Sequence, residues 1–530
     1  MAQHGDVDGR RTRPAARSHP TAAAPVVIRR LFVIGLGLVY AAAFVSLWVQ
    51  IHGLVGAHGI LPAGALLDVA DARLGIARLW RLPTLAWITG ASDGALDALC
   101  AAGTVAALCL ALGIATPLAA VAAWALYLSV YQLGQEFLSF QWDILLLEAG
   151  FLGIFATPLA WTPRSARWRS PPDPLIIWLL RLLIAKLMLL SGIVKLSSSD
   201  PTWRDLTALS YHYETTCLPT WTGWYMHALP MWLHRFSAAM MFAIELALPF
   251  AAFGSRRLRL VSAAAFAGLM IFIAATGNYG FFNLLAIVLC LPLLDDRALP
   301  PALSRRIPEH RHDAGDPDRL TPAVPNDTSR WPRFVTLPVA TVLLLLTPLP
   351  ILRASRLHVE LPAPLLWLYE LQEPFHVVSG YGLFANMTTT RPEIIVEGSD
   401  DGAAWRPYEF RWKPGDPMRR PEFVQPHMPR LDWQMWFAAL GSPRSSRWFL
   451  AFCERLLEGS PTVLALLRAN PFPSVPPHYV RATLYDYRFT TSDERRATGA
   501  WWTRHELRPY TPTLMLAPDG RGLRAAPSPP

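Results

Sequence analysis

Long hydrophobic runs alternate with short polar segments through the first two thirds of the chain. A run of about 20 apolar residues is long enough to cross the hydrocarbon core of a bilayer as a helix. We therefore expect eight or nine transmembrane helices, of which two are short enough to be tilted or re-entrant. The runs lie near residues 31–51, 97–112, 115–133, 140–161, 175–196, 236–253, 260–276, 281–294 and 334–352. The first is too long for the core of a signal peptide, so we interpret it as an uncleaved span.

After the last run, hydrophobic residues occur in short alternating stretches separated by turn residues. Residues 393–398 and 405–412 predict two strands joined through an Asp-Gly turn, and residues 479–490 and 500–507 predict two more. Residues 444–468 predict a helix that ends at a proline-rich segment. The expected fold class is a polytopic α-helical membrane protein with a C-terminal mixed, β-rich domain.

These patterns divide the chain into six segments. Polar ends rich in Arg, Ala and Pro bury too little apolar surface to fold, so both are expected to be disordered. The segments are a disordered cytoplasmic N-terminus at 1–26, a multi-span membrane domain at 27–294, a polar cytoplasmic linker at 295–333, a last transmembrane helix at 334–352, an extracytoplasmic β-rich domain at 353–515 and a disordered tail at 516–530.

Basic residues are distributed unevenly between the two sides of this topology. If the N-terminus is cytoplasmic, the inside segments hold 19 Lys and Arg residues and the outside loops hold 5. Such an excess is the positive-inside signal. The inside segments are 1–30, 162–174, 254–259 and 295–333, and the basic outside loops are 52–96 and 197–235. We expect an integral membrane protein whose loop 197–235 and C-terminal domain face away from the cytoplasm.

The composition agrees with a membrane protein and narrows its partners. The chain has 530 residues, of which 52% are hydrophobic and 16% charged, whereas a soluble domain carries about 25% charged residues. The basic residues are scattered over loops rather than gathered on one face, so membrane lipids are expected as partners and nucleic acid is not. Nearly all of them are arginine, which together with abundant Ala and Pro favours a bacterial source and its inner membrane.

Ionisable residues inside the apolar runs are costly unless they are paired. At 1.5 Å per residue, Glu148, Lys186 and Glu245 fall at similar depths on three different helices. Asp143 and Lys195 match each other nearer the outer surface. We expect a Glu148–Lys186–Glu245 cluster and an Asp143–Lys195 pair. Either these groups are neutralised pairs that fix helix register, or they form a proton-handling site in which Lys186 acts as a base.

The stretch 195–235 lies between two apolar runs and is crowded with aromatic, histidine and acidic residues. Such a mixture is typical of chain lying at the headgroup level of a membrane. A metal site in this loop would need three converging ligands. The spacing of its four best candidates matches no ligand motif, so neither a metal nor a cofactor is expected. Those candidates are His212, Glu214, His227 and His234.

Signatures of common enzymes and of disulfide frameworks are missing from the sequence. No G-x-S-x-G, P-loop, G-x-G-x-x-G or H-E-x-x-H motif is present, which weighs against a standard hydrolase or nucleotide enzyme. Among five cysteines, Cys217 and Cys453 lie in the same expected compartment, but their spacing fits no known framework. A bridge between them stays open at this point.

Four stretches together resemble one family, the lipase maturation factors. The order and wording of the sequence match the family over most of residues 30 to 512. The stretches are Gln141-Trp142-Asp143 with 145–151, Lys195 through 203–215, Asn278-Tyr279-Gly280-Phe281-Phe282-Asn283, and 485–490 with Gly499, 501–504 and Tyr510.

The resemblance implies a polytopic membrane protein with a large non-cytoplasmic C-terminal domain, which in eukaryotes lies in the endoplasmic reticulum. It further implies a maturation factor that helps secreted lipases or other exported proteins reach their active state, without catalysis of its own. The alternative is a membrane-embedded enzyme that uses the buried Glu and Lys residues, by loose analogy with vitamin K-dependent carboxylase-type membrane domains.

Two sets of residues carry these hypotheses. The buried ionic set has a structural role if the chain is a maturation factor and a catalytic role if it is a membrane-embedded enzyme. It comprises Asp143, Glu148, Lys186, Lys195 and Glu245. The second set is expected to face the client protein or to lie in an interface; it comprises Trp203, Arg204, Asp205, Tyr211, His212, Tyr213, Glu214, Trp501, Trp502 and Arg504. On strands, aromatic residues such as Trp501 and Trp502 are more often packed than exposed.

Overall fold

A computed structural model describes residues 25–300, 330–357, 359–518 and 522–526. The expectations of disorder at 1–24 and of a linker through 301–329 lie outside these residues. The membrane part contains α1 (Val26–Trp48), α2 (Ile51–Val55), α3 (Ala63–Leu74), α4 (Arg78–Arg81), α5 (Ala86–Thr89), α6 (Asp93–Leu112), α7 (Thr116–Leu133), α8 (Gln141–Ala156), α9 (Pro174–Ser197), α10 (Pro201–Arg204), α11 (Leu209–Thr215), α12 (Trp221–His227), α13 (Met231–Phe242), α14 (Leu248–Ala251), α15 (Arg256–Thr276), α16 (Phe282–Cys290), α17 (Arg333–Leu346) and α18 (Pro348–Ala354).

The C-terminal part mixes five helices with eight strands. The helices are α19 (Ala363–Gln372), α20 (Arg430–Ala439), α21 (Arg447–Leu457), α22 (Pro461–Leu464) and α23 (Ser492–Thr498). The strands are β1 (Arg391–Ser399), β2 (Arg406–Pro407), β3 (Glu409–Phe410), β4 (Leu467–Ala469), β5 (Tyr479–Phe489), β6 (Trp502–Pro509), β7 (Leu514–Leu516) and β8 (Leu523–Ala525).

Seven helices in the described residues are long and apolar enough to cross a membrane. They are Val26–Trp48, Asp93–Leu112, Thr116–Leu133, Pro174–Ser197, Met231–Ala251, Arg256–Thr276 and Arg333–Ala354. The other two predicted spans form shorter helices, Gln141–Ala156 and Phe282–Leu293. Both short helices are largely buried by their neighbours, so they form the centre of the bundle. The polytopic helical membrane class with a strand-containing C-terminal domain is confirmed.

Local sequence sets where the central helices begin and end. The α9 helix starts at Pro174, and the Asp173 side chain before it accepts a hydrogen bond from the Leu175 N–H, 2.9 Å away. The α6 helix ends at Gly113, whose left-handed φ of 78° is accessible to glycine without strain. Between α13 and α14, a π-helical turn at Ala243–Ala247 interrupts the regular spacing.

The C-terminal domain is organised around the long strand β5. It pairs antiparallel with β1 along nine residue pairs on one side and with β6 and the start of β7 on the other. The six-stranded sheet has the path β2-β1-β5-β7-β8, with β6 also bound to β5, and β3 and β4 form a separate pair. The predicted helix 444–468 is shorter than expected, because α21 ends at Leu457 before Gly459, which has a left-handed φ of 68°, and the chain continues through α22 into β4.

The two ends of the bundle differ in what they bring together. At one end, the carboxylate of Asp296 accepts hydrogen bonds from the N–H groups of residues 26–28, and Arg29 donates to the carbonyl of Trp168, 2.9 Å away. Arg256 pairs there with Asp295 at 2.6 Å. The opposite end carries the loop 197–235 and the C-terminal domain. The described arginines Arg29 and Arg256, with Arg167 and Arg169 beside Trp168, therefore lie at the end away from the domain.

Candidate functional site: a buried joint between the membrane bundle and the C-terminal domain

The centre of the interface is an ion pair between α8 and α20. Both oxygens of Asp143 accept hydrogen bonds from the Arg430 guanidinium, at 2.6 and 2.7 Å, and both side chains are about 99% buried or more. Tyr127 donates a third bond to Asp143 at 2.6 Å, and Arg430 donates to the carbonyl of Phe137 at 3.1 Å. Paired bonds of this kind fix orientation as well as distance, so α20 is held in one position on the bundle.

One turn and a half further along α8, Glu148 makes a second connection. One oxygen pairs with the Lys186 ammonium of α9. The other oxygen accepts bonds from the Ser379 N–H, at 3.0 Å, and from the Tyr381 hydroxyl, at 2.5 Å. Nearby, Gln141 accepts a bond from the Gly382 N–H at 2.7 Å. Residues 377–388 of the C-terminal part therefore lie in a groove whose polar floor is α8.

Lys195 pairs with a different helix from the one the sequence indicated. Its ammonium donates to both oxygens of Glu245, at 2.9 Å each, and to the carbonyl of Ser191 at 3.0 Å. The expected Glu148–Lys186–Glu245 cluster and Asp143–Lys195 pair were therefore wrong in part, since only Glu148 and Lys186 meet. Depth along a helix does not say which face a side chain lies on, and the π-helical turn packs Glu245 against the outer end of α9.

The loop 197–235 is attached to the domain mainly through its backbone. Arg391, at the start of β1, donates to the carbonyl oxygens of Glu214, Thr216 and Cys217, with distances of 2.7 and 3.1 Å to the first and last. The indole of Trp436 donates to the carbonyl of Thr215 at 2.9 Å. These bonds satisfy carbonyl groups in the last turn of α11 and just after it, which would otherwise be buried without a partner.

The segment between α15 and α16 supplies two more polar anchors. Asn278 donates to the Glu422 carbonyl at 2.8 Å and accepts from the Val424 N–H at 2.8 Å. Tyr279 shares hydrogen bonds with the Thr216 hydroxyl and with His212 Nε2, each 3.0 Å long. We define the joint as these contacts: α8, 197–235 and 277–283 on the bundle side, and 377–391 with 422–439 on the domain side.

The residues expected to face a client divide into buried and exposed groups. Trp203 is 2% exposed and donates to the Phe384 carbonyl, while Tyr213, Trp501 and Trp502 are also buried. His212 and Glu214 are partly buried in the joint. Exposed positions are Arg204, Asp205, Tyr211 and Arg504. Much of this set therefore packs between the loop and the domain.

Three buried histidines lie in the joint or directly beside it. Burial lowers the pKa of His212, of His376 and of His427 to about 4 each. His427 shares a hydrogen bond with Ser46 of α1 at 3.0 Å, and the His376 ring meets Tyr131 of α7 edge to face. Among the four metal candidates, His227 and Glu214 approach to 3.1 Å. Within the described ranges, no three His, Cys, Asp or Glu side chains converge as a metal site.

Sequence reasoning missed the domain's own charged residues. Arg391, Glu393 and Lys413 form a buried network, with ion pairs of 2.8 and 3.0 Å. Arg430 was missed as well, because its partner Asp143 is 287 residues away. The signal was present in part, since Lys413 is one of three lysines in the chain. All five cysteines are free, so Cys217 and Cys453 do not pair.

The arrangement is suited to holding two parts together rather than to chemistry. Every member of the buried ionic set has a partner in the described part of the chain. Asp143 forms an ion pair with Arg430, and Lys195 forms one with Glu245. Glu148 forms an ion pair with Lys186 and accepts hydrogen bonds from the 377–388 segment. Three of the four stretches on which the family resemblance rests supply the bundle side of this joint. The fourth lies on β5 and β6, where Trp501 and Trp502 pack.

Comparison with known proteins gives the same family on both sides of the joint. Residues 27–301 match the lipase maturation factor transmembrane domain, and residues 377–512 match the lipase maturation factor C-terminal domain. Lipase maturation factor 2 of Gallus gallus is 38% identical, over 92% of this chain and 81% of the relative. Lipase maturation factor 2 of Mus musculus is 36% identical, over 92% and 83%. Lipase maturation factor 1 of Mus musculus is 34% identical, over 91% and 86%.

These relatives are vertebrate proteins, and the expectation of a bacterial source drawn from composition is not borne out by them. No solved structure matches the chain. The relatives align over both the membrane bundle and the C-terminal domain, and at identities well above 30%. The chain belongs to the lipase maturation factor family.

Proposed function

We propose that the chain is a membrane-bound maturation factor that helps secreted lipases reach their active state. The observation that carries this proposal is the match to lipase maturation factors along 92% of the chain, across bundle, joint and domain. A factor of this kind needs a surface held at a fixed position outside the membrane. The joint supplies that fixed position through buried ion pairs and backbone hydrogen bonds.

We further infer that the role is one of binding rather than catalysis. A general base in the bundle would need a side chain with a free lone pair facing an accessible space. Glu148 and Lys186 instead form an ion pair with each other, and Glu148 also accepts hydrogen bonds from Ser379 and Tyr381. The enzyme alternative therefore receives no support from the geometry of the group that suggested it.

The orientation that fits this function has a cytoplasmic N-terminus and a C-terminal domain on the opposite side. Two observations support it. The inside segments contain an excess of basic residues, and the described parts of these segments, around Arg29, Trp168 and Arg256, lie at the end of the bundle away from the domain. In a eukaryotic cell this would place the domain in the lumen of the endoplasmic reticulum, and in a bacterial cell on the outer side of the inner membrane.

A client would meet the outer surface of the loop and domain. The exposed members of the predicted set, Arg204, Asp205, Tyr211 and Arg504, lie on this surface. An exposed aromatic group adjoins it, since Trp221 contacts both Tyr225 and Phe423 ring to edge. Aromatic and arginine side chains are the residues most often found at the energetic centres of interfaces.

The test is rescue of a secreted lipase in cells that lack their own lipase maturation factors. The chain is expressed with the lipase, and the specific activity of the secreted lipase is measured together with the secretion of an unrelated protein. The proposal predicts that lipase specific activity rises while the unrelated protein is unaffected. Correct membrane insertion with no rise in lipase specific activity would refute it, and an equal rise for both proteins would indicate a general export factor instead.

A further inference from the structure

A cavity of about 340 Å³ lies in the outer half of the membrane bundle, beside the joint. Its walls are α9, α13, α15 and the start of α16, and its roof is formed by α11 with Leu383 and Phe384 of the 377–388 segment. Pockets for small molecules begin at about 300 Å³.

The cavity extends through most of the depth of one membrane leaflet. Its α9 wall extends from Leu187 to Lys195, which is roughly 12 Å at 1.5 Å per residue. The hydrocarbon core of a bilayer is about 30 Å thick, so one leaflet contributes about half of that. The cavity therefore extends through most of the outer leaflet, the depth at which the acyl chains of the bilayer lie.

The side of the cavity formed by α13 and α15 faces the surrounding bilayer. Phe236 and Met240 of α13 and Phe272 of α15 line the cavity and are also exposed at the bundle surface, Phe236 by 58%. Gly268 of α15 lines it too, and no atom lies within 4 Å of where a Cβ would stand. Phe236 and Phe272 lie about 7 Å below the outer ends of their helices, at acyl-chain level.

The residues that line the cavity are suited to a flexible apolar ligand. Four methionines contribute to it, and methionine side chains adjust their shape readily. They are Met188, Met240, Met241 and Met270. The only charged groups in the lining are Lys195 and Glu245, which neutralise each other, and the three ammonium hydrogens of Lys195 are matched by Glu245 and the Ser191 carbonyl. No charge is left over to bind an ionic headgroup.

One polar atom in the roof has no partner in the described part of the chain. His212 lines the cavity; its Nε2 is bound to Tyr279, while its Nδ1 is buried and makes no hydrogen bond. A buried polar atom without a partner costs free energy that a ligand can recover. Because the imidazole is neutral near pH 7, it suits a neutral oxygen such as an ester carbonyl or a hydroxyl.

We propose that this cavity binds one acyl chain of a neutral or zwitterionic ester lipid, which enters between α13 and α15 and places an ester carbonyl or hydroxyl group near His212. Glycerophospholipids and acylglycerols share this chemistry, and both are possible sources of the chain. The proposal is independent of the lipase client, so it can fail while the maturation function holds.

The test uses the full chain in phosphatidylcholine liposomes with a trace of lipid that carries a diazirine at the end of one acyl chain. Separate samples contain the diazirine in phosphatidylcholine, in diacylglycerol or in a free fatty acid. After irradiation, labelled residues are identified by mass spectrometry. The readout is labelling of Met188 and Met270, which line the cavity and are buried from the bilayer, so that lipid around the outside of the bundle does not reach them.

The matched variants are Gly268→Leu and Gly94→Leu. Both glycines are helical and have open space around them, but only Gly268 lines the cavity. Leucine at 268 should lower labelling of Met188 and Met270 about tenfold, because displacement of roughly two buried methylene groups is enough for that loss. Leucine at 94 should leave labelling unchanged. Met240→Trp narrows the entrance beside α13, so this variant should also lower the labelling of Met188 and Met270.

The outcomes separate the possibilities. Labelling of the buried methionines by phosphatidylcholine or by diacylglycerol, reduced by Gly268→Leu, supports the proposal and identifies the source of the chain. Labelling confined to exposed residues such as Phe236, or equal in both leucine variants, overturns it. Labelling by the fatty acid alone overturns the assignment to an ester lipid.

Discussion

Replacement of Arg430 by methionine should release the C-terminal domain from its fixed position on the membrane bundle. Methionine keeps the apolar part of the arginine side chain but leaves Asp143 buried without its cationic partner, although Tyr127 still donates a hydrogen bond to it. Removing one partner of a buried ion pair costs about 3–5 kcal/mol. The undocked population should therefore rise on the order of a hundredfold to a thousandfold or more.

The effect can be measured by amide hydrogen exchange of α20 in the full chain reconstituted in a bilayer. Exchange of amides in Arg430–Ala439 reports how often this helix leaves the bundle. A matched control is Arg496→Met, since Arg496 also pairs with an aspartate but both side chains are largely exposed. Exposed pairs contribute little to stability, so this variant should exchange like the unmodified protein.

A double variant distinguishes the buried charge from lost packing. In Asp143→Leu with Arg430→Met, no uncompensated charge remains, and replacement of a buried pair by apolar residues is often close to neutral. Exchange of α20 should return most of the way to its original rate. The reasoning is refuted if Arg430→Met changes exchange less than about threefold, well under 1 kcal/mol, or if the double variant is no better than the single one.

Three further predictions concern other parts of the joint and bundle. Acid should loosen the joint, because the buried histidines in and beside it have a folded-state pKa of about 4 and an ordinary pKa near 6.5. The stability present above about pH 6.5 is then lost as the pH falls toward 4, and hydrogen exchange measured across this range will show the loss. The histidines are His212, His376 and His427. Lys186→Met should lower the melting temperature of the bundle, because Glu148 is then buried without its cation. Adding Glu148→Gln should restore most of the lost stability. If the double variant is no more stable than Lys186→Met alone, the pair is not purely structural. Gly150→Ala should destabilise by about 1–3 kcal/mol, because its Cβ would stand 1.7 Å from the Tyr40 hydroxyl, while Gly268→Ala should be neutral or stabilising by up to about 1 kcal/mol; equal melting temperatures for the two would be the contrary result.

The membrane helices could be predicted from the sequence because hydrophobic length is a local property. The expected runs 175–196 and 260–276 correspond to Pro174–Ser197 and Arg256–Thr276. The strand pairing in the domain was also accessible in part, since alternation identified β5 and its neighbour β6. The length of the run 140–161 overestimated α8, which has only 16 residues. Because the surrounding helices bury it, this short helix lies at the centre of the bundle.

The joint was less accessible because its contacts join residues far apart in the chain. Depth counting found that Glu148 and Lys186 match, since α8 and α9 are sequence neighbours and antiparallel. It failed for Asp143, whose partner Arg430 comes from a domain that the counting did not include. It also failed for Glu245, because a π-helical turn changes the direction in which the side chain points. The family resemblance marked the right residues without revealing that they form one interface.

The most direct measurement combines the joint with the proposed function. Secreted lipase specific activity is compared in deficient cells that express the unmodified chain, the Arg430→Met variant, or the Asp143→Leu, Arg430→Met double variant at equal membrane levels. If a fixed C-terminal domain is what a lipase client requires, the unmodified chain and the double variant restore activity and the single variant does not. Full activity from Arg430→Met, in a sample where hydrogen exchange shows α20 released from the bundle, would contradict it.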